Sequence, residues 1–386
     1  MKNIKILFVV HDASRTGAPV VLLNFLRWFK KNTEISFHVL ILEDGPLKQD
    51  FEKFAITFVV PFVYNYSLKN KIRRRLHPEL SYDYKISEIV NKLSKNNYSI
   101  VFGNTIVTLP CILKFQKLGN AKIICAMHEL THVIEHYFKK DYVLTELQKI
   151  DLILAGSNAV KENLLTEFNL PNDKIKVIHA FIETKIDINK SSKQLREELG
   201  IKPSELIIGG MGSVGLRKGM DLVVPLAVEL KNKHPEVPYK LLWVGGLASN
   251  QYFKIFTQDA KKCNVAEQVV FIENTEFPND YLNLFDVFVL FSREDPFPLV
   301  LLTAAYMEKA LIAFEKSGGA NELINDTSGF LASYLDVSDV AKIISNIYHN
   351  PNIVKEKGKV AKQRVINEFT DDIIPVEITK VLNSYL

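Results

Sequence analysis

A glycine-rich segment in the middle of the chain carries residue types that bind phosphate. The pattern G-x-G-x-x-G at 210–215 follows the apolar run ELIIG, and Arg217 and Lys218 stand just before a predicted helix over 221–231. The free N–H groups of a helix N-terminus attract anions, and two cations beside them strengthen that attraction. The segment therefore predicts a diphosphate site. Its candidate residues are Gly212, Ser213, Arg217 and Lys218.

A dinucleotide site is the main alternative for this glycine pattern. An NAD-binding unit places an acidic residue at the end of the following strand, where it binds the ribose. Here the next apolar run, KLLWVGG, ends in Gly245 and Gly246. The missing acid disfavours NAD and favours a diphosphate ligand without a pyridine ring.

A second polar segment, SREDPFPLVLLTAA, follows the apolar run VFVLFS. Its acids Glu294 and Asp295 precede a proline-containing turn, and carboxylates in that position can accept hydrogen bonds from vicinal sugar hydroxyls. Leu299 and Val300 then open a predicted helix, so their backbone N–H groups are available to a phosphate. The segment therefore predicts a subsite for a sugar and a phosphate.

The order of the apolar runs indicates which elements position these segments. Short β-rich runs alternate with longer segments whose apolar residues lie three and four apart, which is the pattern of βαβ units and parallel sheets. Ligands of such sheets bind beyond the carboxyl ends of the strands, where both polar segments lie. The predicted strands are KILFVV, FHVLIL, ITFVVPF, IVFGN, KIICAMH, LILAGS, IKVIHAF, ELIIGGMG, KLLWVGG, QVVFIE, VFVLFS, ALIAFE and GFLA. The predicted helices of the first half cover 18–30, 84–96 and 158–168.

The runs form two series separated by a charged connector, and 386 residues is long for a single core. The expected fold class is α/β, with two Rossmann-like doubly wound parallel-sheet domains that face a central cleft. The predicted organisation is an N-terminal domain over 1–185, a connector over 186–204, a second domain over 205–368 and a helix over 369–386. Packing of that helix back onto the N-terminal domain is one possibility.

The composition is that of a soluble globular protein, with 47% hydrophobic and 24% charged residues. The N-terminal apolar run is too short for a signal peptide core or a membrane span, which predicts a cytoplasmic protein. Cys111, Cys125 and Cys263 lie in apolar segments without metal-type spacing, so they are expected to be buried thiols.

The charge is unevenly distributed along the chain. Residues 1–190 contain 27 Lys and Arg against 19 Asp and Glu, whereas the remainder contains 21 against 25. This excess predicts an anionic partner for the first half, either a membrane surface or a phosphate-bearing acceptor. A solvated loop is the alternative for the densest cluster, and no recognised motif supports nucleic acid binding. The cluster consists of Lys69, Lys71, Arg73, Arg74 and Arg75.

Taken together, these segments resemble the retaining glycosyltransferase family 4 of the GT-B fold, also described as glycosyl transferases group 1. The resemblance extends over nearly the whole chain and follows the family's order. The segments that carry it are VVHDASRTGAPVVLLNFL, AMHEL, LAGSNAVKENL, VIHAFI, GMGSVGLRKG, VLFSREDPFPLVLLTAA and GGANELI.

The resemblance implies a role for each matching residue. Gly17 would lie in the glycine loop near the donor phosphates, and His128 would point at the transferred sugar. Arg217 and Lys218 would neutralise the diphosphate, and Asp295 would hold sugar hydroxyls. The catalytic residues implied are His128, Arg217, Lys218 and Asp295. The donor-binding residues are Gly17, Gly212, Ser213, Glu294, Pro298, Leu299, Val300 and Thr303.

Two positions depart from the family pattern. Thr303 stands where a ribose-binding Glu is expected, and a hydroxyl cannot form the charge-assisted pair of hydrogen bonds that a carboxylate forms. Pro298 stands at the usual glycine and removes one N–H donor. The donor's affinity or identity is therefore open.

The resemblance also implies the reaction and its partners. A nucleotide-diphosphate sugar would be the donor, and a saccharide or lipid-linked acceptor would receive the sugar in cell-surface polysaccharide or glycolipid synthesis, peripherally at the inner membrane face. No cofactor or metal is expected, because Arg and Lys would replace the cation. His132 and His136 are spaced as on one helix face, but no third metal ligand is evident. A sugar-nucleotide epimerase and a noncatalytic partner of another transferase are the alternative functions.

Overall fold

The computed structural model describes residues 5–61 and 81–386. The chain divides into two compact units. Unit 1 comprises Met1–Ala180 and Asp371–Leu386, and unit 2 comprises Phe181–Thr370.

Unit 1 is built on a seven-stranded parallel sheet. The strands are β1 (Lys5–Val10), β2 (Ser36–Ile41), β3 (Ile56–Val59), β4 (Ile100–Asn104), β5 (Lys122–Met127), β6 (Leu152–Ala155) and β7 (Ile175–Val177), in the order β3-β2-β1-β4-β5-β6-β7. The helices described for this unit are α1 (Gly17–Asn32), α2 (Lys48–Glu52), α3 (Tyr82–Ser94), α4 (Leu109–Gln116), α5 (Thr131–Tyr137), α6 (Lys140–Leu147), α7 (Asn158–Glu167) and α16 (Ile374–Ser384).

The apolar character of these strands follows from burial on both faces of the sheet, as is usual for parallel sheets. Phe8 on β1 contacts the rings of Phe25 and Phe29 from α1 on one face. Leu7 and Val9 point to the opposite face, where they join the core formed with α3 and α4. Two cores of this kind hold the strand ends in fixed positions.

Unit 2 repeats the architecture with six parallel strands. They are β8 (Leu206–Met211), β9 (Tyr239–Val244), β10 (Val269–Ile272), β11 (Val287–Leu290), β12 (Ala310–Phe314) and β13 (Phe330–Ala332), in the order β10-β9-β8-β11-β12-β13. The helices are α8 (Ser192–Glu198), α9 (Val223–Lys233), α10 (Gln251–Lys262), α11 (Pro278–Leu284), α12 (Leu299–Tyr306), α13 (Ala320–Leu323), α14 (Val337–His349) and α15 (Pro351–Glu368).

Side-chain caps explain where several helices begin. Ser191 and Gln194 form a reciprocal capping box at the start of α8, so the helical part of the predicted connector is locally encoded. Ser157 caps α7 by accepting a hydrogen bond from the N–H of Val160. These caps end the preceding loops at defined residues.

The prediction of two parallel-sheet α/β domains is confirmed. In each unit the strand order reverses beside the first strand, between β1 and β4 in unit 1 and between β8 and β11 in unit 2. Such a switch point leaves a crevice outside the carboxyl ends of the strands. Along the described ranges, no helix has both the length and the apolar character that crossing a membrane requires.

Candidate active site

The predicted phosphate segment and the acid-containing segment meet at the switch point of unit 2. Gly219 has φ of +75°, and a Cβ atom at this position would lie 1.9 Å from the carbonyl oxygen of Phe291. Gly318 has φ of +116°, and its Cβ would lie 2.1 Å from the carbonyl oxygen of Asp295. Only glycine allows these approaches, so the two glycines bring the loops after β8, β11 and β12 together.

Lys218 and Asp295 form the central ion pair of this site. Lys218 Nζ lies 2.5 Å from Asp295 Oδ2, and the side chains are 19% and 7% exposed. Ser292 Oγ donates to the same carboxylate oxygen at 3.2 Å, and the backbone N–H of Asp295 donates to Ser317 at 2.7 Å. A cation and a carboxylate therefore lie side by side at the carboxyl ends of the strands, and the neighbouring loops fix the position of each.

Arg217 contacts the acid-containing loop through the backbone. Its Nη1 donates to the carbonyl of Glu294 at 2.8 Å, and its own carbonyl accepts from the N–H of Arg293 at 2.8 Å. Gly212 lies against the side chain of Lys218, with its hypothetical Cβ 3.4 Å away, and Ser213 is exposed. The backbone at Gly212 therefore lies beside the Lys218 side chain, and the role of this segment in phosphate binding stays a prediction.

The residues after Asp295 lead directly into α12. Pro298 is the N-cap residue, and Leu299 and Val300 occupy the first two helical positions, where N–H groups have no intrahelical acceptor. Thr303 lies one turn further on, and its Oγ1 donates to the carbonyl of Leu299 at 3.1 Å. The hydroxyl at the departure from the family pattern is therefore bonded to its own helix.

Sequence reasoning missed two charged residues of this site, Arg293 and Asp221. They form a bidentate ion pair with distances of 2.8 and 2.7 Å. The sequence gives only a weak signal for this ion pair. The segments that follow β8 and β11 contain residues of opposite charge. Their pairing depends on the strand order, which brings these segments together.

In unit 1, the predicted residues Gly17 and His128 lie at the carboxyl ends of β1 and β5. Gly17 is the exposed first residue of α1. Asn104 connects the two regions, because its Nδ2 donates to the carbonyl of Ala18 at 2.9 Å and its Oδ1 lies 3.3 Å from His128 Nε2. The amide oxygen is an acceptor, so it can take a hydrogen bond from His128 in the tautomer that carries the proton on Nε2.

Burial keeps this histidine neutral. It lowers the pKa of His128 to about 4, and the charge of nearby His11 contributes in the same direction. The imidazole borders a cavity of about 40 Å³ with mostly apolar walls. A neutral imidazole can form a hydrogen bond with a hydroxyl group without placing a charge in the site.

Glu129 and Thr105 complete the unit 1 site and were not among the predicted residues. Glu129 is 7% exposed, and its Oε2 accepts from the N–H groups of His128 at 2.9 Å and Ile106 at 3.3 Å. Burial raises the pKa of Glu129 to about 7. Thr105 adopts φ of +99°, and its buried Oγ1 has no hydrogen-bond partner within the described ranges. Strained backbone of this kind is concentrated at functional sites.

The remaining predictions concern the basic cluster, a histidine pair and the cysteines. The basic cluster Lys69, Lys71, Arg73, Arg74 and Arg75 lies outside the described residues. His132 and His136 lie on α5, and nowhere in 5–61 or 81–386 do three or more His, Cys, Asp or Glu form a group suited to a metal ion. The expectation of three buried thiols is wrong for Cys263, which is exposed because it ends the amphipathic helix α10 on its solvent side.

Comparison with known proteins identifies the class. A family model described as "Glycosyl transferases group 1" matches residues 191–364, and one described as "Glycosyltransferase Family 4" matches residues 15–186. The chain belongs to the group 1 and family 4 glycosyltransferases, as the order of its motifs predicted.

Two relatives and one solved structure illustrate the similarity. The chain is 24% identical over 259 residues to the capsular polysaccharide biosynthesis glycosyltransferase CapM of Staphylococcus aureus, covering 64% of this chain and 66% of that protein. It is 24% identical over 283 residues to the N-acetyl-alpha-D-glucosaminyl L-malate synthase of Bacillus anthracis, covering 66% and 72%. These matches thus span only about two thirds of the relatives' lengths.

The solved structure is that of Anabaena HepE in complex with UDP and glucose. It superimposes with a TM-score of 0.81 at 18% identity and covers 99% of this chain and 100% of that one. At this identity the likeness concerns the fold, and it confirms the predicted GT-B class.

Proposed function

We propose that this protein is a retaining glycosyltransferase that moves a sugar from a nucleoside-diphosphate sugar, with UDP as the first nucleotide to test, to a saccharide or lipid-linked acceptor. The observation that carries the proposal is the Lys218–Asp295 ion pair at the switch point of unit 2. A diphosphate needs a cation and a sugar needs hydrogen-bond acceptors, and this pair offers both, with the two charged atoms 2.5 Å apart.

The choice of UDP is supported by the Anabaena relative, which was solved with UDP and with UDP-glucose. Phosphate binding by the chain is supported by the position of Arg217 and Lys218 and by the first N–H groups of α12. Position 303 is a threonine, so the ribose would be held without a carboxylate there. The Thr303 hydroxyl donates its hydrogen bond to its own helix.

In the proposed reaction, the bond between the anomeric carbon and the phosphate oxygen breaks, and a bond from the acceptor oxygen to that carbon forms on the same face. The acceptor's proton passes to the departing phosphate oxygen, so the nucleoside diphosphate leaves without an enzyme nucleophile. Arg217 and Lys218 would stabilise the charge that develops on the phosphate. Asp295 would orient the sugar.

The acceptor class is supported by the names of the relatives, which include capsular polysaccharide synthesis in Staphylococcus aureus.

The basic cluster over 69–75 would place the protein at the cytoplasmic face of an anionic membrane. Changing Lys71, Arg73 and Arg74 to Gln should release the protein from acidic vesicles, since each basic residue near the surface contributes about 1 kcal/mol. Vesicle binding that survives both these changes and high salt would contradict the membrane assignment.

The donor site is tested by ligand binding with a matched lysine control. UDP, GDP, CDP and ADP are compared by thermal shift, because a ligand of the folded state raises the unfolding temperature. Lys218→Ala should weaken binding of the preferred nucleotide by about 100-fold, as removal of one charged contact in a site typically does. Lys240→Ala is the control, because Lys240 pairs with Glu205 at 3.8 Å with 17% and 15% exposure but lies at the amino end of β9.

Each outcome favours one function. Sugar transfer to an acceptor, with retention of the anomeric configuration established by NMR of the product, supports the proposal. Conversion of the free nucleotide sugar without an acceptor would indicate an epimerase, and binding without any turnover would indicate a noncatalytic partner. If Lys218→Ala and Lys240→Ala weakened nucleotide binding equally, the assignment of Lys218 to the phosphate site would be wrong.

A further inference from the structure

A second ion pair lies beside the Lys218–Asp295 pair and has no part in the proposed chemistry. Arg293 Nη1 lies 2.8 Å from Asp221 Oδ1, and Arg293 Nη2 lies 2.7 Å from Asp221 Oδ2. Their side chains are 28% and 20% exposed. The fork of the guanidinium thus matches both oxygens of one carboxylate, which fixes orientation as well as distance.

The residues of this pair belong to the two loops that carry the donor-site groups. Asp221 follows Lys218 by three residues, and Arg293 precedes Asp295 by two. Arg293 also donates from Nη1 to the carbonyl of Leu216, and its N–H donates to the carbonyl of Arg217. One arginine therefore connects its own loop to both ends of the turn that holds Lys218.

We propose that the Arg293–Asp221 pair is a positioning clamp for the donor site. It locks the loop after β11 onto the loop after β8, so that Lys218 and Asp295 stand at their 2.5 Å separation before a donor arrives. Binding then requires no ordering of these loops, which preserves affinity for the diphosphate. The inference rests on the proposed function and names a residue pair that acts through Lys218 and Asp295.

Unit 2 contains a control for an ordinary structural ion pair. Arg196 Nη2 lies 3.1 Å from Asp286 Oδ2, and Arg196 Nη1 donates to the carbonyl of Glu205 at 3.0 Å. This pair also joins two segments of the unit, but Glu205 and Asp286 precede β8 and β11 and so lie at the amino ends of those strands. The two arginines are comparably buried, with side chains 28% and 22% exposed.

The experiment compares Arg293→Lys, Asp221→Asn, their double variant and Arg196→Lys. Lysine keeps the positive charge but cannot form the bidentate fork. UDP affinity is measured by calorimetry at a temperature where circular dichroism shows all variants folded. Arg293→Lys and Asp221→Asn should each weaken UDP binding by about tenfold, and the double variant should lose little more than either single one, because both changes break the same pair. Arg196→Lys should keep the wild-type affinity.

A second readout is independent of any ligand. Hydrogen exchange of the backbone amides over 212–222 and 291–298 should accelerate in Arg293→Lys and stay unchanged in Arg196→Lys, since only the first change releases these loops. Unchanged exchange, or an equal loss of UDP affinity in both arginine variants, would overturn the clamp.

The two proposals fail in different ways. If the wild-type protein binds none of UDP, GDP, CDP and ADP, the proposed function and the clamp's role in donor binding are both wrong. If the wild-type protein binds UDP and Arg293→Lys binds it equally well, the clamp alone is wrong.

Discussion

Units 1 and 2 share the strand order of a doubly wound sheet, yet the ionisable groups at their switch points are held in opposite ways. In unit 1, burial lowers the pKa of His128 to about 4 and raises the pKa of Glu129 to about 7, so both neutral forms are favoured. In unit 2, Lys218 is paired with Asp295 in an ion pair. Burial favours the neutral form of a group unless an opposite charge lies within reach. The same strand order therefore accommodates two different arrangements of charge, and the residues that follow the strands distinguish them.

The loop contacts of unit 2 can be broken by a single methyl group. Gly219→Ala would place a Cβ atom 1.9 Å from the carbonyl oxygen of Phe291 at φ of +75°. We expect it to reduce the free energy of unfolding by about 4 kcal/mol, the range in which backbone strain and overpacking combine. Gly215→Ala is the control, because a Cβ at that glycine meets no described atom within 4 Å apart from those of its own residue and its chain neighbours. Urea unfolding measures both, and similar losses would contradict the argument.

The neutral groups of unit 1 give its stability two opposing pH dependences. The folded pKa of Glu129 is about 7 against an ordinary 4.5, so its contribution is complete below pH 4.5 and is lost as the pH rises through 7. The folded pKa of His128 is about 4 against 6.5, so its contribution is complete above pH 6.5 and is lost as the pH falls through 4. The pKa of neighbouring His11 is lowered as well, which adds to the effect of His128.

Glu129→Gln should therefore remove the loss of stability with rising pH and leave the opposite trend. The loss of unfolding free energy between pH 5 and pH 8 that this substitution removes is on the order of 3 kcal/mol. His128→Asn should leave the loss of stability with rising pH that Glu129 causes. A Trp243→Phe background leaves Trp28 as the fluorescent reporter of unit 1, and urea unfolding is followed from pH 5 to pH 8. Parallel profiles for the two variants would show that the groups do not titrate as proposed.

Loss of the carboxylate in the unit 2 ion pair should affect catalysis more than nucleotide binding. Asp295→Asn keeps the shape of the side chain but removes the charge that would orient the sugar, so we expect kcat to fall by about 100-fold. UDP affinity should change much less, because Lys218 remains to contact the phosphate. Glu205→Gln removes the carboxylate from the Lys240 pair and serves as the control. If Asp295→Asn abolished binding of bare UDP, the assignment of this acid to the sugar would be wrong.

The departure at Thr303 provides the smallest predicted effect. Thr303→Glu replaces a hydroxyl bonded to Leu299 at 3.1 Å with a carboxylate that can accept from the ribose hydroxyls. We expect UDP binding to tighten by about fivefold, which corresponds to about 1 kcal/mol, the net size of one typical hydrogen bond. Thr303→Gln has the same length without the charge and should give less. Weaker binding in the glutamate variant would indicate a pocket built around threonine.

Local pattern alone predicted most of the fold. Apolar runs of strand length such as KIICAM became β5, and the capping residues Ser191 and Gln194 began α8 within the predicted connector. The sequence also placed the cations Arg217 and Lys218 after one strand and Asp295 after another. It missed α4, which begins only five positions after the last residue of β4.

The sequence by itself determined which groups follow which strands, since hydrophobic period and glycine position are local properties. Only the tertiary structure decided which of those groups meet. Lys218 contacts Asp295, and Arg293 contacts Asp221, across more than 70 residues because β11 returns beside β8 in the sheet. Burial likewise set the pKa of Glu129, which depends on the surroundings of the carboxylate and not on its place in the chain.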